Sequence, residues 1–536
     1  MLARVKSGAL MGVDAVVVEV EVDMSLGMPN FAVVGLPEGA VKESKVRVIS
    51  ALKNGGYLLP SKRITVNLAP ADLKKEGATF ELPIALGVLA ASGVVELGPL
   101  DGYLFGGELA LDGALKPIRG VLPLALAARD HGFRGVMVPS ANAAEAALVD
   151  RIQVLPVDTI SQAVMHFTGE APIAPYDRSA RGHVRPAELG TLDMSDVRGQ
   201  DDVKDALEMA AAGGHNVLLC GPPGSGKTML ARRMPSILPR MKFQEQLEVT
   251  RIYSVLGLLS DGQSLVSERP FRAPHHTISD AGLVGGGPLT RPGELSMAHR
   301  GLLFLDELPE FRRHVLEVLR QPLEEGVVRL ARANQHVTYP CQVMLFAAMN
   351  PCPCGFFKVP DRECNCREVR RNEYFNRISG PLLDRLDVTL ETRPVDVRLL
   401  AADAQESNRT SAWFRERVEA ARERQTHRFR EYPGLFCNAQ MGPRLVHRFC
   451  KTESKATQML ELAVSRFGLS ARAHDRIIKM ARSRADLEAR ETITTEDMQF
   501  AIACRIIDRA DWRGTPTTKL RNGAMRQELP RPRRAE

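Results

Sequence analysis

One segment of the 536-residue sequence has the residue types and spacing of a phosphate-binding loop. Residues 221–228 fit the pattern G-x4-G-K-[ST], follow an apolar run and precede residues that can begin a helix. In such a loop the backbone N–H groups turn toward phosphate oxygens, and the helix N-terminus adds a favourable dipole. Lys227 would reach the β- and γ-phosphates of ATP, and the Thr228 hydroxyl would bind Mg²⁺. The predicted nucleotide-binding residues are Gly221, Pro222, Pro223, Gly224, Ser225, Gly226, Lys227 and Thr228.

Two further apolar segments end in polar residues that suit ATP hydrolysis. Residues 301–305 lead into Asp306 and Glu307. Acidic residues often follow strands, but after a phosphate-binding loop they predict a carboxylate for Mg²⁺ (Asp306) and one that polarises the attacking water (Glu307). A third strand, predicted at 343–348, leads to Asn350, which would contact the water or the γ-phosphate. Alternatively, Asn350 only turns the chain before Pro351.

Arg385 lies in the apolar segment Leu382–Asp387. An arginine here could reach the ATP of a neighbouring subunit, an effect worth about 10³–10⁵ in rate where it has been measured. The alternative from the residues alone is an ion pair within the chain, with Asp384 or Asp387.

Four of the nine cysteines fall within a short segment, as two close pairs separated by nine residues. The intervening residues are polar and turn-rich, so this loop has no core of its own in which to bury thiols. Two close pairs on a short connection predict a tetrahedral zinc site formed by thiolates. The alternatives are redox-labile surface thiols or unrelated structural cysteines. The predicted ligands are Cys352, Cys354, Cys364 and Cys366, and the other five cysteines are predicted to be small buried residues.

Three histidines and two arginines are weaker candidates. His275, His276 and His299 have no carboxylate or cysteine at a metal-ligand spacing, so the segment containing Gly285–Gly287 is interpreted as a flexible glycine-rich insertion. Arg329 and Arg332 lie on a β-like stretch that predicts a hairpin tip. They could contact a phosphate backbone or be solvated.

The elements that position these residues form an α/β protein with several regions. Hydrophobic residues make up 44% and charged residues 25%, which excludes a wholly disordered or fibrous chain. The predicted organisation is an α/β domain at 1–168, a linker at 169–195, a nucleotide-binding α/β domain at 196–395 with a cysteine-rich loop at 351–367, an all-α domain at 396–510 and a basic, disordered tail at 511–536.

Net charge, cysteine content and hydropathy indicate where the protein is located and which kinds of partner it can bind. The net charge of +7 is compatible with nucleic acid, and the tail alone carries seven basic and three acidic residues. Nine cysteines in so long a chain do not form a disulfide framework, and neither a signal-peptide core nor a membrane-length apolar stretch is found. These features predict a soluble, cytoplasmic protein without a membrane partner.

Taken in order, the chemistry-bearing segments resemble an AAA+ ATPase of the magnesium-chelatase-like branch. This resemblance rests on Asp196–Gln200, Ala210–Asn216, Phe271–His276 and Pro292–His299. Over about residues 1–510 the chain resembles more specifically the bacterial competence-protein ComM (YifB) family, through Asn350–Gly355 and Phe31–Pro37. The resemblance implies ATP and Mg²⁺ as cofactors and a hexameric ring as the assembly.

The first and last domains carry resemblances of their own. Gly106–Gly113 and Val138–Asn142 are similar to the Lon proteolytic domain, which has the ribosomal S5 domain 2-like fold, and to the C-terminal domain of RadA. The Lon serine position matches a segment containing Thr79, and the lysine segment, Arg119–Leu124, has no lysine, which argues against peptidase activity. Gly468–Ala473 resembles the sensor-2 segment of an AAA+ helical lid, which implies that Arg472 contacts the γ-phosphate.

The function expected from this resemblance is ATP-driven branch migration of DNA recombination intermediates during natural transformation. The ligand would be single-stranded, duplex or branched DNA. One alternative is a motor subunit that helps to insert Mg²⁺ into a porphyrin. The extra N-terminal domain and the cysteine cluster argue against this alternative. The others are a Lon-like protease, disfavoured by the missing lysine, and a DNA-binding scaffold without activity, disfavoured by the intact ATP-site pattern.

Overall fold

The computed structural model describes residues 2–36, 39–75, 77–177, 192–259, 264–287, 290–332, 335–359, 362–394 and 409–505. The architecture over these residues is mixed α/β, in agreement with the sequence. The predicted tail at 511–536 and residues 178–191 of the predicted linker lie outside the described residues.

The N-terminal region is built on a seven-stranded mixed sheet of order β3-β4-β2-β1-β5-β8-β9. Alternate residues of β2 (Val18, Val20 and Val22) are fully buried, because one face of the sheet packs on helices. Helix α2 is buried along its whole length, which explains its lack of a polar face. The elements are β1 (Leu2–Met11), β2 (Asp14–Ser25), β3 (Asn30–Val34), α1 (Gly39–Asn54), β4 (Arg63–Ala69), α2 (Glu81–Ala91), β5 (Tyr103–Phe105), β6 (Glu108–Leu109), β7 (Leu115–Lys116), α3 (Val121–Asp130), β8 (Gly135–Pro139), α4 (Ala143–Ala146), β9 (Gln153–Val157) and α5 (Ile160–Thr168).

The central region is built on a five-stranded parallel sheet of order β11-β14-β17-β10-β18. Its three inner strands are buried on both faces, which explains their unbroken apolar sequences. The elements are α6 (Asp201–Gly213), β10 (Val217–Cys220), α7 (Lys227–Ile237), α8 (Phe243–Leu256), β11 (Phe271–Arg272), α9 (Asp280–Val284), β12 (Gly285–Gly286), β13 (Arg291–Pro292), α10 (Glu294–Met297), β14 (Leu302–Leu305), α11 (Arg313–Glu317), α12 (Arg320–Glu325), β15 (Val327–Arg332), β16 (Gln335–Pro340), β17 (Met344–Met349), α13 (Glu368–Asn376), α14 (Gly380–Leu383) and β18 (Val388–Glu391).

Parallel strands bring their carboxyl ends to one edge of the sheet. The residues that follow β10, β14 and β17 therefore meet at this edge, where ligands bind in open α/β sheets. The two-stranded hairpin β15–β16 contains the predicted hairpin segment with Arg329, and its Val328 and Val337 are buried in the apolar core.

Among the described residues 409–505, the regular elements are all helical. They are α15 (Ser411–Arg428), α16 (Pro443–Phe449), α17 (Ser454–Phe467), α18 (Ala471–Leu487) and α19 (Thr495–Ala503). Thr410, Ser470 and Thr494 cap three of these helices by accepting backbone N–H groups, as N-cap hydroxyls do. Phe414 and Met480 share one apolar core with Phe304 and Phe346, so the helices cover one face of the parallel sheet.

The N-terminal region packs directly on the central region. Leu247 of α8 is buried in the same cluster as Leu122 and Val136. Ser254 Oγ on α8 donates a 2.5 Å hydrogen bond to Glu145 Oε1 on α4. None of the helices within the described ranges has the length and hydropathy required to cross a membrane.

Candidate nucleotide site and cysteine cluster

The loop predicted to bind phosphate joins the buried strand β10 to helix α7, which is the strand–loop–helix order that the sequence predicted. Gly224 and Gly226 have φ values of +77° and +80°, a left-handed conformation that favours glycine at both turns of the loop. The Lys227 side chain is buried, and its Nζ donates to the carbonyl oxygens of Gly221 at 2.8 Å and Pro222 at 2.9 Å. Burial lowers the pKa of Lys227, so contact with phosphate oxygens would also supply a compensating charge.

The second strand brings its carboxylates to the loop. Thr228 Oγ1 donates a 2.7 Å hydrogen bond to Asp306 Oδ2, and Asp306 Oδ1 accepts the backbone N–H of Glu307 at 2.9 Å. The two oxygens predicted to serve Mg²⁺ are therefore neighbours. Oxygen donors of this kind suit Mg²⁺, which takes one or two protein oxygens and completes its shell with water and phosphate.

The third strand places Asn350 beside the loop lysine. Lys227 Nζ donates to Asn350 Oδ1 at 3.2 Å. Asn350 thus belongs to the same polar cluster as the phosphate-binding loop. Its predicted contact with the water or the γ-phosphate remains a prediction.

A histidine that the sequence interpretation set aside belongs to this site. His276 Nδ1 lies 3.4 Å from Glu307 Oε2, and the His275 ring packs on the His276 ring with centroids 4.1 Å apart. Both histidines follow β11, which pairs in parallel with β14, so they reach the same sheet edge as Glu307. A two-residue strand is too short to be found from hydropathy alternation, which explains why the sequence interpretation missed the pair.

The structure places Arg385 away from the phosphate-binding loop of its own chain. Arg385 precedes β18, and its carbonyl oxygen accepts Nδ2 of Asn216, the residue before β10, at 2.9 Å. It therefore lies at the edge where the parallel strands begin, opposite the edge of Lys227. Its guanidinium forms an ion pair with Glu324 and not with Asp384 or Asp387.

Asp387 has different partners. It pairs with Arg476 at 3.3 Å, and its Oδ2 lies 3.5 Å from His215 Nδ1. Burial opposes its ionisation, but the contact with His215 and the nearby positive charges outweigh burial and lower the pKa of Asp387 to about 2. The ion pair between Asp387 and Arg476 joins the start of β18 to helix α18.

Arg472 lies in the first turn of α18 and is exposed. Its side chain makes no hydrogen bond or ion pair with another residue of the described ranges. The structure thus shows no contact between Arg472 and the nucleotide site, and its sensor role remains a prediction.

The four clustered cysteines come together in space. Their Sγ atoms all lie within 4.8 Å of one another, with a separation of 3.2 Å between Cys352 and Cys354 and of 3.6 Å from each of these to Cys364. Burial opposes ionisation of Cys354, but the N–H of Phe356 and the neighbouring thiols outweigh it and lower its pKa to about 6. The fourth member of the cluster is Cys366. Four adjacent thiols, one of them readily ionised, are a donor set that fits a tetrahedral metal ion.

The other five cysteines are buried, as the sequence predicted. They are Cys220, Cys341, Cys437, Cys450 and Cys504. Burial raises the pKa of the Cys341, Cys450 and Cys504 thiols to about 12, so these side chains act as small apolar core residues.

Three family models match the chain in succession. Residues 193–400 match "Magnesium chelatase, subunit ChlI", residues 20–142 match "Subunit ChlI of Mg-chelatase", and residues 408–505 match "Magnesium chelatase, subunit ChlI C-terminal". With the parallel sheet and the phosphate-binding loop, these matches define a magnesium-chelatase-like protein of the AAA+ class.

Similar proteins extend over nearly the whole chain. "Competence protein ComM" of Haemophilus influenzae is 42% identical over 512 residues, which cover 95% of this chain and 98% of that protein. "Uncharacterized protein YifB" of Escherichia coli is 42% identical over 511 residues, with the same coverage. The chain therefore belongs to the ComM/YifB family. A more distant relative is "Probable DNA helicase MCM9" of Arabidopsis thaliana, 26% identical over 187 residues, 35% of this chain and 24% of that protein.

Proposed function

We propose that this protein is a cytoplasmic, ring-forming ATPase that moves on DNA and drives branch migration of recombination intermediates in natural transformation. The observation that carries the proposal is the convergence of three parallel strands on one site, with Thr228 on Asp306 and Lys227 on Asn350. The name of the Haemophilus relative supports a role in competence, and that of the Arabidopsis relative supports action on DNA.

In the proposed reaction each side chain has a separate task. Lys227 and the loop N–H groups bind the β- and γ-phosphates, and Thr228 and Asp306 hold Mg²⁺ directly or through water. Glu307 orients and polarises the attacking water, and Asn350 fixes its position. Because Lys227 already contacts Asn350, binding of phosphate at Lys227 would also set the orientation of that amide. Besides ATP and Mg²⁺, we propose Zn²⁺ as a structural ion at the four clustered cysteines.

The position of Arg385 supports the proposal of a ring. A guanidinium at the edge opposite Lys227 cannot reach the nucleotide of its own chain without a large rearrangement, whereas it can serve an adjacent subunit. Repeating one such contact from head to tail closes a ring, and we propose a hexamer. Arg472, exposed on the helical region that we assign as the lid, would approach the γ-phosphate when that region closes.

DNA contact would involve the β15–β16 hairpin. The Arg329 side chain on this hairpin is 60% exposed and is paired with Glu325 only at the surface. An exposed arginine on this hairpin would suit a phosphate backbone in the channel of a ring. Each duplex phosphate neutralised would contribute a slope of about −0.9 to the dependence of log K on log salt concentration.

We assign the N-terminal region as a Lon-like domain without protease activity. Thr79, at the position of the Lon nucleophile, has no hydrogen bond from its hydroxyl to another described residue. The buried Lys75 directs its amino group to the carbonyl oxygen of Pro70 instead. Without an adjacent base Thr79 is not an activated nucleophile, so this region is proposed as a scaffold or a DNA contact.

The second candidate function is that of a chelatase motor subunit. The observation that favours it is the match of all three regions to models described as magnesium chelatase subunits. The protein would then hydrolyse ATP in response to a porphyrin and partner subunits rather than to DNA.

One experiment distinguishes the two functions. The ATPase rate of the full chain is measured with single-stranded DNA, duplex DNA, a four-way junction, or protoporphyrin with chelatase partner subunits, and Lys227→Ala serves as the inactive control. We expect stimulation by DNA, strongest with the junction, together with ATP-dependent movement of the branch point. Stimulation by porphyrin alone would establish the second function, and indifference to every DNA would overturn the first.

A further inference from the structure

The cysteine cluster lies directly against the phosphate-binding loop. Cys352 is two residues beyond Asn350 and is fully buried. Gly355, between the two cysteine pairs, has φ +84°, and a Cβ at this position would lie 2.5 Å from Cδ of Pro223. The cysteine-rich loop therefore adjoins the nucleotide site in two ways. It begins directly after Asn350, which contacts Lys227, and the backbone of Gly355 packs on Pro223.

The positions of the sulfur atoms match a tetrahedral ion. Zinc–thiolate bonds of about 2.3 Å require S···S separations of about 3.8 Å in a tetrahedron. The 3.2 Å and 3.6 Å separations found here, with all four atoms within 4.8 Å, leave room for an ion after small adjustments.

Nearby cations would offset the charge of a site with four thiolates, which is −2 with Zn²⁺ bound. The Arg371 guanidinium donates to the carbonyl oxygen of Cys366 at 2.7 Å and lies over the Phe357 ring at 4.3 Å. Arg362 lies over the Phe356 ring at 4.9 Å. Both guanidinium groups therefore contact residues of the loop that carries the ligands.

The loop has little else to hold it in place. Among its described residues, 351–359 and 362–367, there is no helix or strand, and three of its four cysteines are only half-buried. An ion that joins both pairs of thiols would replace the missing core, because structural zinc contributes its binding energy to local folding.

We propose that Cys352, Cys354, Cys364 and Cys366 bind one Zn²⁺, and that the bound ion holds residues 350–355 against the phosphate-binding loop, so that zinc loading sets the affinity for ATP. This inference rests on the proposed function only in taking the loop as an ATP site. Because binding linkage is reciprocal, ATP must raise the affinity for zinc by the same factor by which zinc raises the affinity for ATP.

The first test measures this reciprocity on the full chain. The Kd of a non-hydrolysable ATP analogue is measured with zinc-loaded and zinc-depleted protein, and the Kd of zinc is measured by chelator competition with and without the analogue. We expect both ratios to agree and to fall within roughly 5- to 150-fold, the usual range of coupling between two sites. In Lys227→Ala, which is expected to bind the analogue at least 100-fold more weakly, the zinc affinity should not respond to an analogue concentration that saturates the wild type. This variant also controls for binding of zinc by the analogue.

The second test breaks the contact without removing a ligand. Gly355→Ala keeps all four cysteines but places a methyl group on Pro223, so we expect one zinc per chain and about tenfold weaker analogue binding, within the same coupling range. Gly132→Ala is the matched control, since Gly132 also has a positive φ of +75° but no atom within 4 Å of an added Cβ. This control should bind the analogue as the wild type does.

Different results overturn the two parts of the proposal. Protein purified under reducing conditions that holds no zinc, and that gives no tetrathiolate absorption bands with Co²⁺, would overturn the metal site. Equal analogue affinities of zinc-loaded and zinc-depleted protein would overturn the coupling. Failure of the proposed function would be seen separately, as zinc-loaded wild-type protein whose ATPase does not respond to DNA.

Discussion

His276 Nδ1 lies 3.4 Å from Oε2 of Glu307, the carboxylate proposed to polarise the attacking water. Glu307 has a φ of +51°, unusual for a residue other than glycine, and its side chain is 53% exposed. A carboxylate on such an exposed turn can adopt several rotamers, and the contact with His276 selects one of them. From this contact we predict that His276 positions Glu307.

Replacing His276 should slow hydrolysis without weakening ATP binding. We expect His276→Ala to lower kcat about tenfold, a part of the 10²–10⁴ that a general base contributes, while the Kd of an ATP analogue stays unchanged. His276→Gln, whose amide N–H could donate to Glu307, should recover part of the rate. His314→Ala is a matched control, because His314 pairs with Asp280 at an exposed position. An unchanged kcat in His276→Ala would show that the contact has no positioning role.

Substitutions of Lys227 and Glu307 should affect different steps, ATP binding and ATP hydrolysis respectively. Lys227→Ala should raise the Kd for ATP at least 100-fold, because its ammonium binds phosphate in the ground state. Glu307→Gln should retain ATP binding and lose about 10²–10⁴ in kcat. Fluorescent-nucleotide titration and phosphate release measure the two effects. Hydrolysis by Glu307→Gln at the wild-type rate would contradict the assignment of Glu307.

Arg385→Ala should keep ATP binding and ring assembly and lose hydrolysis, by about 10³ or more if the guanidinium completes a neighbouring site. Mixing this variant into wild-type protein should reduce activity more steeply than its fraction, because each mutant subunit disables the site of the next. Arg320→Ala, which breaks a surface ion pair with Glu317, is the control. A linear decline with wild-type turnover per intact subunit would exclude Arg385 from the site.

Glu145 makes the contact between the N-terminal and central regions sensitive to pH. It accepts Ser254 Oγ and the N–H of Leu122, and burial raises its pKa above the ordinary 4.5. Folding then favours the protonated form of Glu145. Its contribution to the free energy of unfolding is therefore fully present below pH 4.5, the pKa in the unfolded chain, and is lost as pH rises through the folded pKa. Glu145→Gln, whose amide oxygen can accept both hydrogen bonds, should show a higher Tm at neutral pH and a flatter dependence of Tm on pH. Glu43→Gln, at an exposed position, should reproduce the wild-type curve.

Much of the nucleotide site was determined by local sequence. The spacing of Gly221 to Thr228 specifies the loop, because backbone N–H groups can turn inward only where glycine permits the left-handed conformation. The unbroken apolar runs before Asp306 and Asn350 identify strands buried on both faces, and parallel strands must end at one edge. These two facts place Thr228, Asp306, Lys227 and Asn350 at one edge of the sheet, while the strand order that pairs Thr228 with Asp306 and Lys227 with Asn350 came from the structure.

Contacts between residues that are distant in the sequence could be identified only from the tertiary structure. His276 reaches Glu307 through a strand of two residues, which carries no periodic signal. The partner of Arg385 is Glu324, because the fold brings α12 to the start of β18, whereas sequence proximity suggested Asp384 or Asp387. The approach of Gly355 to Pro223 arises in the same way, since van der Waals contact between two loops depends on how their strands pair and not on the residues within either loop.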